Sequence, residues 1–245
     1  MKKQRWFIIL FFSGLLFLFG CEVEQKVALR IDGTGTLAGE VRLHPVLAAY
    51  LTDLSLAVSS GGDQVPLFDL PRLEEAFSRS SGVVLTELSN PRREVLRFVL
   101  GLEDLNAPFA ALPRTDRNII EFRRRGEEAV LDLVLTRENF SQVSAFFPAL
   151  DQGLLDYFIP QGESFVSEEL YKEDLAYALE DYLEGYRLDQ VLEQSVITIA
   201  IDTGGRVVSQ RGGRLSAGGV VFTIPLLKVL LLNQPLEYHL TFLPR

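Results

Sequence analysis

The sequence predicts an α+β fold: a largely antiparallel β-sheet backed by helices, with a helical insertion before the C-terminal strands. Three observations carry this. Apolar and polar residues alternate in short runs at both ends of the chain, the period of half-buried strands. Glycine- and asparagine-containing turns separate successive runs. Between residues 138 and 190 the apolar spacing changes to three and four, the period of a helix face.

The first run is Val23 to Asp32, with Val23, Val27, Leu29 and Ile31 on one side and Glu24, Lys26, Arg30 and Asp32 on the other. Asp32-Gly33-Thr34-Gly35 supplies a tight hairpin turn, and Leu37, Val41 and Leu43 return as the second strand. Pro45 suits a first helical position, and Leu47, Tyr50, Leu51, Leu54 and Val58 follow at helical spacing up to a glycine turn at Gly61-Gly62. A second helix is expected over Pro71 to Ser80. A second hairpin joins Val83–Leu88 to Val95–Leu100 through Ser89-Asn90-Pro91, and Leu102 to Pro113 reads as a loop or a turn of helix. The third hairpin joins Ile119–Arg125 to Ala129–Thr136 through Gly126-Glu127.

In the insertion, Phe140, Val143, Phe147, Leu150, Leu154 and Phe158 make a stripe that Pro148 and Gly153 should kink. A better helix starts at Ser167, an N-cap with Glu168 and Glu169 in the first turn, and is expected to run to Glu184 and stop at Gly185. Its Leu170, Tyr171, Leu175, Ala178, Leu179 and Tyr182 are expected in the core. Strands then resume: Ile197 to Ile201, a turn at Thr203-Gly204-Gly205, Val207-Val208, a loop bracketed by Gly212-Gly213 and Gly218-Gly219, Val220 to Ile224, and Leu236 to Phe242.

The N-terminus decides where the chain works. Lys2, Lys3 and Arg5 precede an almost wholly apolar run from Trp6 to Phe19, a layout that marks residues 1–20 as an export signal. Leu18, Phe19 and Gly20 lead into Cys21, the chain's only cysteine, and this stretch resembles a bacterial lipobox. The resemblance implies diacylglyceryl transfer to the Cys21 thiol, cleavage before it and acylation of the new amino terminus. Phe19 is bulkier than the residue usual at its position. The other reading, an uncleaved membrane helix, suffers from a run shorter than the ~20 residues a span needs. Residues 21–245 are then a single α+β domain carrying the insertion.

The whole chain carries −9, and the leader holds three positive charges, so residues 21–245 carry −12. That sign repels phosphate backbones and excludes nucleic acid as a partner class. It also disfavours simple adsorption to anionic lipid, leaving the anchor on Cys21 as the membrane attachment, with two or more acyl chains anchoring stably. Once acylated, the cysteine leaves no thiol for a disulfide, nucleophile or metal.

Two stretches carry a family resemblance. Val27 to Val41, soon after the cysteine, resembles the opening hairpin of LppM-type bacterial lipoproteins, and Gly204-Gly205-Arg206-Val207 with Phe222-Thr223-Ile224-Pro225-Leu226 resembles their closing hairpin. The resemblance implies an envelope-attached, β-rich domain that holds a lipid or glycolipid and has no established enzymatic chemistry. The C-terminal membrane helix of some members is not matched here, and the helical insertion departs from the short family plan.

Gly33-Thr34-Gly35 opens a strand rather than a helix and so lacks a phosphate-loop context. His44 and His239 are the only histidines; neither has a Cys, His or carboxylate at metal-ligand spacing, so both are expected to be exposed and structural, with no metal or cofactor. There is no G-x-S-x-G elbow. The acidic helix residues Glu168, Glu169, Glu173, Asp174, Glu180, Asp181 and Glu184 read as a solvated face. Arginines gather between residues 92 and 125; Arg92, Arg93, Arg123 and Arg125 are the candidate anion or head-group patch, with pairing to the acidic helix as the alternative. Tyr171, Tyr177, Tyr182 and Tyr186 line a groove or pack a rim.

The function expected is therefore that of a non-enzymatic, membrane-anchored envelope lipoprotein binding a lipid-like ligand or an envelope protein. The alternatives are a structural assembly factor and, with least support, a hydrolase. Location is extracytoplasmic, at the cell membrane or outer membrane; Glu22 after the cysteine, where aspartate would mark inner-membrane retention, favours the outer one.

Overall fold

The computed structural model describes residues 21–58, 66–110, 117–142 and 166–244. Residues 1–20, with Leu18, Phe19 and Gly20, and the stripe from Val143 to Phe158 lie outside them.

Eleven strands form among the described residues, in two mostly antiparallel sheets backed by helices, the α+β class the sequence predicts. The first hairpin is Cys21–Leu29 (β1) with Gly35–Leu43 (β2), registered from Cys21 opposite Leu43 to Leu29 opposite Gly35. Asp32 fixes its turn: the carboxylate accepts from the Thr34 N–H at 3.0 Å and the Thr34 hydroxyl at 2.7 Å, bonds that hold its pKa below the usual value. Val83–Arg92 (β3) pairs with Val95–Leu102 (β4), so the turn falls at Arg93-Glu94 and not at Ser89-Asn90-Pro91. Pro91 sits near the end of an edge strand, where its missing donor costs no ladder bond.

The seven-stranded sheet runs β3-β4-β2-β1, then Val196–Asp202 (β7), Gly219–Pro225 (β10) and Gly213–Ser216 (β9). β1 and β7 pair in parallel, and every other neighbour is antiparallel. The four-stranded sheet runs Ile120–Arg125 (β5), Glu128–Leu135 (β6), Leu236–Leu243 (β11) and Arg206–Arg211 (β8).

The stretch between Gly212-Gly213 and Gly218-Gly219 is a strand where a loop was expected. β8 leaves the four-stranded sheet at Arg211 and re-enters the other as β9 at Gly213, with Gly212 at φ +83° as the corner. Only glycine takes that φ without cost, and a Cβ there would stand 2.7 Å from the Tyr238 ring and 3.0 Å from the Glu237 carbonyl.

One core joins both sheets. Val23, Val27 and Leu29 on β1, Phe98 on β4, Val220 and Phe222 on β10, and Leu240 and Phe242 on β11 belong to a single buried cluster. Phe222 and Phe242 are wholly buried, each contributing about 1.5–3 kcal/mol. Phe222 also meets Tyr238 edge-on at 5.2 Å, and burial raises the Tyr238 pKa. The opposite face of β1, β2 and β4 is solvated, with a ladder from Glu22 through Arg42 and Glu40 to Arg97. The Arg97 hydrogen bond, then that of Arg42, lowers the Glu40 pKa.

Helices flank the sheets. Pro45–Val58 (α1) and Leu70–Arg79 (α2) match expectation within a residue; the Asp69 carboxylate caps α2 from the Arg72 N–H at 3.1 Å. Ala107–Ala110 (α3) is one turn. Glu168–Ala178 (α4) starts at Ser167, as expected, but stops six residues before Glu184 and gives way to a 3-10 turn over Glu180–Tyr182. Glu180, Asp181 and Glu184 would meet the negative end of a longer helix. Tyr171, Leu175 and Leu179 are buried, whereas Leu170 is 51% exposed and Ala178 is also exposed, against expectation. Two short helices were not anticipated. Leu188–Gln194 (α5) buries Val191 and Leu192, and Leu226–Leu231 (α6) buries Leu226, Val229, Leu230 and Leu231. None of the described helices is long and apolar enough to cross a membrane.

His44 corrects the expectation of an exposed histidine. It is half-buried at the start of α1, its Nδ1 accepts from the Val46 N–H at 3.3 Å, and its ring meets Tyr186 edge-on at 4.9 Å. Burial lowers its pKa.

Two outcomes follow. Gly212→Ala should lower unfolding stability by about 1–3 kcal/mol, read from denaturant midpoints at constant m-value. His44 should contribute stability that is present above its unfolded pKa of about 6.5 and lost as pH falls through that value toward the lower folded one. His44→Asn keeps a capping side chain, and the slope of melting temperature against pH in that window should flatten.

Candidate functional site

The outer face of the four-stranded sheet carries the densest polar cluster among the described residues. Alternation on β11 sends Tyr238, Leu240 and Phe242 inward and Glu237, His239 and Thr241 outward, as the sequence period requires. Register then aligns groups remote in sequence. Glu121 on β5 stands opposite Asp132 on β6, Asp132 opposite His239, and His239 opposite Arg211 on β8. One row of side chains therefore crosses all four strands.

Within that row the bonds are specific. His239 Nδ1 lies 2.7 Å from Asp132 Oδ1, and Nε2 lies 2.9 Å from Thr241 Oγ1. A carboxylate only accepts, so Nδ1 carries the proton; in the neutral ring the Thr241 hydroxyl then donates to Nε2. Arg123 bridges Glu121, at 2.9 Å, and the second oxygen of Asp132. On the next row Glu237 holds two arginines, Arg117 at 3.0 Å and Arg211 at 2.9 Å, one on each carboxylate oxygen.

Two buried amides hold the segment that brings Arg117 into place. Asn139 is 1% exposed and donates from Nδ2 to the carbonyls of Arg117, at 3.1 Å, and Val134, at 2.8 Å. Gln142 is 2% exposed; its Oε1 accepts from the Ile119 N–H at 2.9 Å, and its Nε2 donates to Asn118 Oδ1 at 3.1 Å. On the free side of β5, Asn106 imitates a strand: Oδ1 accepts from the Phe122 N–H and Nδ2 donates to the Phe122 carbonyl, both at 2.9 Å. Asn139 and Gln142, buried and satisfied, rigidify what they hold.

Between these groups lies a cavity of about 120 Å3 lined by Arg117, Asn118, Glu121, Arg123, Asp132, Val134 and Arg211. Val134 is its buried apolar contributor. Thr241 is 7% exposed and is not among the lining residues, so the Asp132–His239–Thr241 chain braces the site from beneath.

The arginine set named from the sequence is not brought together. Arg92 and Arg93 close the β3–β4 hairpin of the seven-stranded sheet, where Arg93 donates to Thr52 Oγ1 at 3.0 Å; Arg123 and Arg125 lie on β5 of the other sheet. Arg123 is committed to Glu121 and Asp132, and no ion pair joins any of the four to the acidic helix among the described residues. Instead Arg123 meets Arg117 and Arg211, whose proximity no sequence spacing announces. His239 does have a carboxylate, Asp132, at 107 residues' separation. On the acidic helix, Glu168 pairs with Lys172 and Glu169, Glu173 and Asp174 are exposed; no group of acidic and histidine residues suited to a metal forms among the described residues. Tyr171 is buried, with its pKa raised by burial and then by Asp174. Tyr182 stacks edge-on with Tyr50 at 5.4 Å and donates to Asp53 at 3.3 Å, while Tyr177 and Tyr186 are exposed.

No family model and no curated protein sequence matches the chain. Among solved structures it is similar to the folded domain of LppM from Mycobacterium tuberculosis, determined by NMR. Identity is 10%, 92% of this chain and 91% of that one are covered, and the TM-score is 0.37.

Asp132→Ala should destabilise the protein by about 1–2 kcal/mol, because it removes both the Arg123 pair and the His239 anchor. The discriminating readout is the His239 ring by nitrogen NMR. The Nδ1–H tautomer should dominate in the parent at pH 8 and give way to Nε2–H in the variant.

Proposed function

We propose that the protein is a non-enzymatic lipoprotein of the cell envelope, tethered by acylated Cys21, whose folded body binds a lipid-like ligand or an envelope partner. The observation that carries the reading is the position of β1. Its first residue is Cys21, registered opposite Leu43 in the middle of the seven-stranded sheet, with Glu22 already opposite Val196 of β7. A lipid on that residue would leave no spacer, and the end of the sheet would lie against the bilayer. The Leu43 N–H donates to the Glu94 carbonyl at 2.9 Å, so the β3–β4 turn with exposed Arg92 and Arg93 sits at this same end. At ~4.8 Å per strand, it is about 10 Å to the side of Cys21. The opposite hairpin tip at Gly33 is about 30 Å away along the strands.

The binding part of the reading draws on the insertion. Leu170 and Tyr177, 51% and 84% exposed, stand seven residues apart on one face of α4, opposite buried Tyr171 and Leu175. With exposed Glu173 and Asp174 between them on the same face, these two side chains make an amphipathic surface that suits a lipid-like ligand or a partner protein. The reading leaves catalysis aside because both His239 nitrogens are engaged and the Thr241 hydroxyl is buried. Delivery to the outer membrane, favoured by Glu22, belongs to the same proposal.

The test uses the absence of other thiols. With Cys21 acylated, single cysteines replacing Arg93 or Thr34 in the full chain take one fluorophore each. Nitroxide lipids labelled at the head group should quench the label at 93 and spare the one at 34. Equal quenching would overturn the orientation. Cys21→Ser should release the protein from membranes, and its retention there at unaltered mass would overturn the anchor.

A further inference from the structure

We infer that the cavity on the four-stranded sheet is an oxyanion site, holding the phosphate or carboxylate group of a small ligand through Arg117, Arg123, Arg211 and Asn118. The inference is independent of the lipid anchor and rests on the balance of donors and acceptors around the cavity.

Each carboxylate at the cavity already faces a guanidinium or the His239 ring. Glu237 gives one oxygen to Arg117 and the other to Arg211. Asp132 gives one oxygen to His239 and the other to Arg123, and Glu121 gives Oε2 to Arg123. Asn118 Oδ1 is taken by Gln142, which turns the Asn118 amide nitrogen, a pure donor, away from that bond. The donors are not exhausted. A guanidinium carries a planar fork of N–H groups on two edges. Arg123 has spent its two terminal nitrogens on one bond each, and Arg211 has spent Nη2 on one. An entering acceptor therefore meets unspent N–H groups on Arg123 and Arg211, and a compact group with several acceptor oxygens engages them better than a hydroxyl or an amine.

Charge alone does not select the ligand: three guanidiniums stand against the carboxylates of Glu121, Asp132 and Glu237. Selection comes from directed hydrogen bonds of the charge-assisted kind. The size agrees, since a cavity of about 120 Å3 admits a head group and not a whole lipid or nucleotide. Placement is rigid. Asn139 and Gln142 fix the Arg117–Ile119 segment, Asp132 orients Arg123, and Glu237 orients Arg117 and Arg211 toward one another.

The experiment is titration of the purified full chain with inorganic phosphate, followed by phosphorus NMR and calorimetry at ionic strength held constant with chloride. Phosphate should bind saturably. Arg211→Gln should weaken it by about tenfold or more, the loss of one charge-assisted contact. Arg214→Gln, an exposed arginine on β9 outside the cavity, should leave it unchanged, and Asn118→Asp, which turns a donor into an acceptor, should abolish it. Parallel arms with acetate, glycerol 3-phosphate, and phosphatidylglycerol or phosphatidylcholine vesicles identify the source. Competition by phosphatidylglycerol alone assigns a lipid head group, and competition by the soluble anions alone assigns a free one. Equal affinity in the parent, Arg211→Gln and Arg214→Gln, or heats no larger than those of chloride, would overturn the site. A melting curve on each variant separates lost binding from lost fold.

Discussion

The parallel pairing of β1 with β7 is the constraint on which the rest of the architecture depends. Parallel neighbours cannot be joined by a hairpin, so the chain between Leu29 and Val196 must make a long crossover before it returns beside its own beginning. That crossover first extends the same sheet on the far side of β1 with β2 to β4, then builds β5 and β6 of the second sheet, with helices α1 to α5 along the way. The return places the opening and closing segments side by side, with Cys21–Leu29 flanked by one strand from each half of the chain. A long loop closure of this kind is entropically costly and is offset only when the strand it brings back is well buried. Ile201 on β7, at 3% exposure, and Val220 and Phe222 of the β10 strand that follows it into the sheet, both wholly buried, supply that burial together.

A second junction couples the two sheets. β8 belongs to one and β9 to the other, with a single glycine between them, so the four-stranded sheet cannot slide without distorting the edge of the larger one. Phe222 against Tyr238 and the shared cluster of Phe98, Leu131, Leu240 and Phe242 fill the space between. The inner face of the smaller sheet is thus immobilised by packing, and its outer face is free to carry charge. Cross-strand registry sets polar groups in rows, and each carboxylate in those rows holds a guanidinium or an imidazole ring in a fixed direction. Exposed ion pairs of this sort add little stability. Their consequence is orientation: three arginines from separate parts of the chain line one small cavity, each held by a carboxylate.

Period-based reading located most strands and the longer helices because burial on one face leaves its imprint residue by residue. Val23, Val27 and Leu29, or Leu240 and Phe242, are buried wherever their partners lie. It failed where period was absent or ambiguous. Leu226–Leu231 is buried nearly all round and so shows no stripe; Leu188, Val191 and Leu192 did carry helical spacing, but over too few residues to stand out. The strand Gly213–Ser216 was hidden by its glycines, which read as turn but serve a corner and close packing against Val220 and Phe222. The extent of α4 was overestimated because apolar spacing continues through Leu179 and Tyr182 while the chain has already tightened into a 3-10 turn.

From the order of its residues alone, this protein's class, its alternating strands, its hairpin turns and the outward side of β11 were readable, since each depends on neighbours within a few positions. The site was not. Asp132 and His239 are 107 residues apart, and Arg117 and Glu237 are 120 apart. They meet only because β6, β11 and β8 lie side by side in a particular register, which a shift of one residue would turn inside out. Registry is decided by the fit of the whole core, with Phe222, Tyr238 and Phe242 packed together, and no local pattern encodes it.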